Sequence, residues 1–136
     1  MDQLTGIWRL VESKAWNGSG EQLNPPYGLH PMGQIVFSEG RMLAALCNGD
    51  HTLPSNRKRS FSSYGGVYQF DGTMLSVAVD VASDLSRIGG TQVRKVIAAD
   101  ENRIILLPPS REYDNAVERR ELTWHRIWQP QDEEYK

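Results

Sequence analysis

The stretch "YGGVYQFDGTMLSVAVDV", Tyr64 to Val81, decides the fold class. Two short runs rich in valine and tyrosine flank "FDGT" (Phe70 to Thr73), which puts a glycine where a tight hairpin needs positive φ. In the first run Tyr64, Gly66, Tyr68 and Phe70 share one face, opposite Ser63, Gly65, Val67 and Gln69. In the second, Val77, Val79 and Val81 stand opposite Ser76, Ala78 and Asp80. A period of two belongs to antiparallel strands, not to a helix.

The same pattern repeats outward along the chain. "SEGR" (Ser38 to Arg41) is a second glycine turn, and "ADENR" (Ala99 to Arg103) a third hairpin loop. Strands are expected at 4–16, 32–38, 42–48, 63–70, 73–82, 91–99, 103–107 and 117–128. Three connections are longer: "NGSGEQLNPPYGLHP", "GDHTLPSNRKRSF" and "PPSREYDNA". A short helical turn fits near Ser60, but no segment has the 3.6-residue period of a long amphipathic helix. Strands joined mostly by hairpins close most economically into a barrel, because closure removes unpaired edges. The expected fold is all-β: one eight-stranded antiparallel up-and-down barrel in a single domain over residues 1–136, with residues 130–136 frayed. At eight strands the interior holds either side chains or one small ligand.

Composition narrows the function. Cys47 is the single cysteine, which excludes an intrachain disulfide and a Cys-x-x-Cys motif. A net charge of −2, from 15 basic and 17 acidic residues, gives no pull toward nucleic acid or acidic lipid. The basic cluster "NRKRS" (Asn56 to Ser60) reads as a solvated loop, or as a clamp for an anion at a barrel mouth. No leader pattern and no apolar run of membrane-spanning length is visible, so the expected location is cytoplasmic.

Near the start, Gly6-Ile7-Trp8 resembles the Gly-x-Trp motif of lipocalins, in which the tryptophan plugs the closed barrel end and a late arginine packs on it. Arg126, in "LTWHRIW", is the matching arginine. The chain as a whole is similar to the bacterial and fungal lipocalin-like domain proteins. The segments that carry this are "LTGIWRLVES", "PPYGLHPMGQIVFSEGRMLAAL", "SYGGVYQFDGTML", "GGTQVRKV", "IILLPP" and "LTWHRIW", in that order. The resemblance implies a barrel with an apolar or mixed pocket, and a setting that in some relatives is natural-product metabolism. It fixes no chemistry. Relatives often carry histidines in the fifth strand and a tryptophan in the next loop, where this chain has Val77, Ala78 and Arg87.

Alternation nominates the pocket walls. Phe37, Tyr64, Tyr68, Phe70, Val79 and Trp124 are the candidate ligand contacts. The two tyrosines either fill the core or offer apolar walls with polar tips, and Gly66 between them leaves room for a ligand. Alternation points Asp80 outward. The family resemblance, in which an acidic residue recurs at Asp80 and Gln-Val-Arg at Gln92 to Arg94, brings it toward Arg94 on the strand expected to be its neighbour. The two form either a surface ion pair or a partly buried pair that orients a ligand carboxylate or enolate. Tyr64, Tyr68, Asp80 and Arg94 are therefore the candidate catalytic residues. In the last strand Leu122, Trp124, Arg126 and Trp128 share the inward face, and His125 points out. Cys47 reads as a small core residue. His30 and His51 lie in two long loops that meet at an open end, where His51 beside Asp50 is a candidate base.

No Gly-x-Ser-x-Gly, phosphate loop, His-Glu-x-x-His or metal-ligand spacing occurs. The expectation is a protein that works without metal or cofactor, with a homodimer left open. Three readings fit: binding of a small hydrophobic or aromatic metabolite, cofactor-independent isomerisation, cyclisation or elimination in the same pocket, or a filled barrel whose outer surface binds a protein partner.

Overall fold

The structure is a computed structural model that describes residues 3–55, 57–113 and 116–131. Residues 132–136 of the tail, and Asn56 of the basic cluster, lie outside the described residues. Nine strands occur among them: β1 (Gly6–Asn17), β2 (Pro31–Ser38), β3 (Arg41–Asn48), β4 (Phe61–Phe70), β5 (Met74–Ala82), β6 (Thr91–Asp100), β7 (Arg103–Leu107), β8 (Arg111–Tyr113) and β9 (Ala116–Trp128). Each pairs antiparallel with its neighbour in the order β1-β2-β3-β4-β5-β6-β7-β9-β8, and β1 also pairs with β9. The sheet thus closes into an eight-stranded antiparallel barrel.

The ninth strand is a continuation. β1 takes one edge of β9 from Trp128 back to Glu118, so β7 and β8 follow one another along the other edge. Pro108 and Pro109 stand between them. Proline donates no ladder hydrogen bond, and two in succession split what would be one long strand.

Turn chemistry fixes the hairpins. Glu39 (φ 52°) and Gly40 (φ 80°) both take the left-handed conformation that a two-residue hairpin turn requires. Gly72 (φ 99°) does the same after Asp71, whose carboxylate accepts from the backbone of Thr73 and Met74. The short helical turn lies at Leu85–Arg87, not near Ser60. Asp84 caps it by accepting from the Ser86 amide at 3.0 Å, a Ser/Asp-type local bond that favours turns over strands.

Three bulges decide which side chains enter the barrel. In β1, Val11 is skipped between the pairs Leu10↔Trp124 and Glu12↔Thr123. Beyond it the parity changes, so Ser13 and Ala15 point inward after Trp8 and Leu10. In β9, Ile127 is skipped between Trp8↔Arg126 and Ile7↔Trp128. Trp128 therefore turns outward and is exposed, although strict alternation put it with Trp124 and Arg126. In β5, Asp80 is the extra residue between Gly65↔Val81 and Gly66↔Val79. Val77 and Val79 stay buried while Val81 is exposed.

This last bulge also corrects the reading of Gly66. A Cβ there would collide with the carbonyl oxygen of Ala78, so the glycine serves the close approach of β5 and not a ligand. Gly6 has the same kind of reason. At φ 138° it lies against the carbonyl of Trp128, where a side chain would clash. The core inside is continuous, built on Trp8, Leu10, Ile35, Phe37, Leu75, Val77 and Trp124. Each such fully buried apolar side chain contributes about 1.5–3 kcal/mol.

Candidate functional site

The barrel carries a cavity at each end. At the base, Trp8 is fully buried and donates from Nε1 to the Leu4 carbonyl at 2.9 Å. The Arg126 guanidinium stacks 4.4 Å from the Trp8 ring centroid. It donates to the Gln3 carbonyl at 2.6 Å and to Gln129 Oε1 at 2.8 Å. These contacts tie the barrel's first and last strands together beside a space of about 390 Å³ that Phe70, Val96 and Ile104 also line. The arginine here is committed to the protein itself.

The opposite end differs. A cavity of about 360 Å³ opens there, within the usual range of about 300–1,000 Å³ for small-molecule sites. Its floor is apolar, from Ile35, Ala44, Leu46, Leu106, Leu122 and Trp124. Its walls carry Tyr64, Arg87, Gln92, Arg94 and Arg120, with Tyr27, Ser62, Asp84 and Ser86 around them.

Each polar group has a local reason to be there. On β6 the alternation that buries Val96 also turns Gln92 and Arg94 inward. Arg87 comes from the turn capped by Asp84, and its guanidinium lies 4.1 Å from the Tyr64 ring centroid. Arg94 lies 5.8 Å from the same ring. Arg87 donates to Ser62 Oγ at 3.1 Å and to Gln92 Oε1 at 2.9 Å. Arg94 donates to that same Gln92 oxygen at 3.1 Å, and to the Val93 carbonyl at 2.8 Å. Arg120 is bonded to Glu118 at 2.7 Å. The Val11 bulge reaches the site as well: it turns Ser13 inward, and Ser13 Oγ accepts from the Tyr27 amide at 3.2 Å.

The electrostatics follow from this crowding. Burial pulls the Arg87 guanidinium below its ordinary value; Tyr64 opposes that, the Arg94 cation adds to it, and Tyr27 and Asp84 oppose it again. On the floor, Trp124 is 1% exposed, and its Nε1 has no hydrogen-bond partner among the described residues. A buried N–H without an acceptor costs about 1–3 kcal/mol, which a bound acceptor would recover.

Of the residues nominated from the sequence, the structure brings Tyr64, Arg94 and Trp124 to this cavity. Tyr68 and Phe37 are buried and pack edge to face at 5.1 Å. Val79 is core, and Phe70 lies at the base cavity. Asp80 is not brought to Arg94. The register sets Arg94 opposite Leu75, and Asp80 points out of the barrel, where both its oxygens lie 2.7 Å from Arg41. That exposed pair is worth little. Cys47 is half-buried on the outward parity of β3, opposite to Met42, Ala44 and Leu46. The two long loops do meet, through His30 and not His51. Asp50 accepts from the His30 amide at 2.8 Å and lies 3.0 Å from its ring nitrogen. Arg59 of the basic cluster donates to the carbonyls of Asn48 and Asp50 at 2.6 and 2.8 Å, bracing the same loop.

Sequence reasoning missed Arg87, Gln92, Arg120 and Tyr27. Gln92 was legible, since it shares the parity of Arg94. Arg87 was not, because a turn has no face to read.

Comparison with known proteins now decides the family. The lipocalin-like domain family matches residues 5–127. The chain belongs to that family. The Trp8 and Arg126 pair at the base has the stacked geometry that the resemblance to lipocalins implied. No curated protein matches the chain. Among solved structures, a redesigned β-barrel is similar over 91% of each chain, with 11% identity and a TM-score of 0.46, too distant to bear on function. Among the described residues, no helix is long and apolar enough to cross a membrane.

Proposed function

We propose that this lipocalin-like barrel binds a small hydrophobic or aromatic metabolite in the cavity floored by Trp124. The observation that carries the reading is a ligand-sized space whose apolar floor includes a buried indole N–H without an acceptor. A filled core would leave neither. The family supports ligand binding in general, and the aromatic preference comes from Tyr64 and Trp124 facing one space. Residues 1–136 act as one domain in this reading, in the cytoplasm.

A second reading, a cofactor-independent isomerase, cyclase or lyase, has one observation in its favour. Tyr64 lies beneath Arg87 and near Arg94, so a phenol and two cations converge where a proton could move and negative charge could be held. Asp80, outside the barrel, takes no part in it. Incubating the protein with a metabolite extract separates the two readings. A compound retained in native mass spectrometry and recovered unchanged supports binding alone. Depletion with accumulation of an isomer or fragment, abolished by Tyr64→Phe while binding persists, supports catalysis. No retained compound from any extract would count against both.

Self-association belongs to the same proposal. Val36, Leu43, Gly65 and Val81 lie directly across from one another on the outside of β2 to β5, and Leu43 is 52% exposed. Light scattering should show a dimer that Leu43→Glu disperses; a monomer at all concentrations would remove this part.

A further inference from the structure

Resting on the binding site just proposed, we infer that its ligand is an acid: a carboxylate head held by Arg87 and Arg94 across Gln92, on an apolar body that reaches toward Trp124.

Three observations converge on this. First, two guanidinium groups share one neutral acceptor, Gln92 Oε1, at 2.9 and 3.1 Å. Among the described residues neither cation is ion-paired with a carboxylate, whereas Arg120, the third arginine of the cavity, is neutralised by Glu118. Asp84, the acidic residue at the mouth, accepts from both the amide and the hydroxyl of Ser86. Two like charges held this close, partly out of water, are unfavourable by themselves and become favourable once an anion lies between them.

Second, the guanidinium forks are pre-set. Arg87 is fixed by Ser62, Gln92 and the Tyr64 ring, and Arg94 by Gln92 and the Val93 carbonyl. A planar carboxylate matches such forks with paired N–H bonds, as a point cation such as lysine would not. Little side-chain entropy is left to lose on binding.

Third, the remaining wall is apolar or donor-rich. Arginine and the indole N–H donate and cannot accept. Nothing on this wall compensates a cationic ligand except Asp84, which lies at the mouth. The cavity therefore selects against ammonium compounds and for acids.

The test is a charge series on one apolar body, using the unmodified protein. Affinities for 2-naphthoate, 2-naphthalenemethanol and 2-naphthylmethylammonium are measured by calorimetry. The expected result is that naphthoate binds at least tenfold more tightly than the alcohol, with the ammonium compound weakest. In Arg87→Gln and in Arg94→Gln the ratio of acid to alcohol should fall toward one. Alcohol binding as tightly as the acid would overturn the inference while leaving the binding site in place. So would a ratio unchanged in both variants. If none of the three binds, the site itself fails, and the inference with it.

Discussion

The two ends of this barrel use the same pieces for opposite purposes. Each has a space of a few hundred cubic ångströms, about 390 Å³ at the base and about 360 Å³ at the other end. Each also has an arginine stacked on an aromatic ring, Arg126 on Trp8 and Arg87 on Tyr64. At the base the guanidinium reaches the Gln3 carbonyl and the Gln129 side chain, and the tryptophan N–H reaches Leu4. At the other end two guanidiniums crowd one glutamine oxygen, and the tryptophan N–H reaches nothing among the described residues. A stacked arginine closes structure where it bonds a backbone carbonyl across the barrel's two ends of chain, and suits a ligand where two of them share one neutral acceptor.

Substitutions can break this contrast. Trp8→Ala should cost about 3–5 kcal/mol, because it empties the centre of the base. Urea unfolding reads that loss, and a cost under half of it would mean that the base is not a structural plug. Gly66→Ala should cost about 1–3 kcal/mol through forced displacement of β5 from the Ala78 carbonyl. The paired arginines sharpen the comparison most. Arg126→Met should lose about 1–3 kcal/mol with its hydrogen bonds. Arg87→Met should cost less in the same assay, because it also removes the repulsion between Arg87 and Arg94. Its guanidinium lies below its ordinary value, chiefly through burial, which is the sign of a cation less favourable folded than unfolded. Equal losses for the two arginines would erase the distinction between the ends.

The smallest effect belongs to the loop pair. Burial works to raise the Asp50 carboxyl, but hydrogen bonds from the amide and ring of His30 and from the Leu29 amide outweigh it and hold it below its ordinary 3.8. A lowered carboxyl contributes fully above that value and loses its contribution as the pH falls through the lower folded one. Amide exchange at Leu29 and His30 should therefore quicken only on strong acidification. Quickening already near neutrality would assign the contact to another group.

The hairpin grammar made the barrel legible. "SEGR" and "FDGT" gave their turns, and the alternation in "VYQFDGTMLSV" gave its faces. What escaped was everything that breaks the period of two. The bulges at Val11, Ile127 and Asp80 reverse parity without any composition signal, and so Trp128 was placed inside and Val81 with the core valines. Pro108 and Pro109 hid β8 as a loop. Arg94 and Tyr64 were found at the site because regular strands carry them. Arg87 was not, since its position depends on a turn folding back across β4. Alternation pointed Asp80 outward, as the structure has it; the family resemblance and strand adjacency tied it to Arg94, and register decided otherwise.

The central claim is that ligand enters the end where two arginines share one neutral acceptor and the Trp124 N–H has none among the described residues. The chain has four tryptophans, and each indole N–H gives its own proton resonance, assignable by Trp124→Phe and Trp8→Phe. Titrating the protein with 2-naphthoate should move the Trp124 resonance and leave Trp8, already bonded to Leu4, in place. Movement of Trp8 with Trp124 silent would put the ligand at the base and contradict the account.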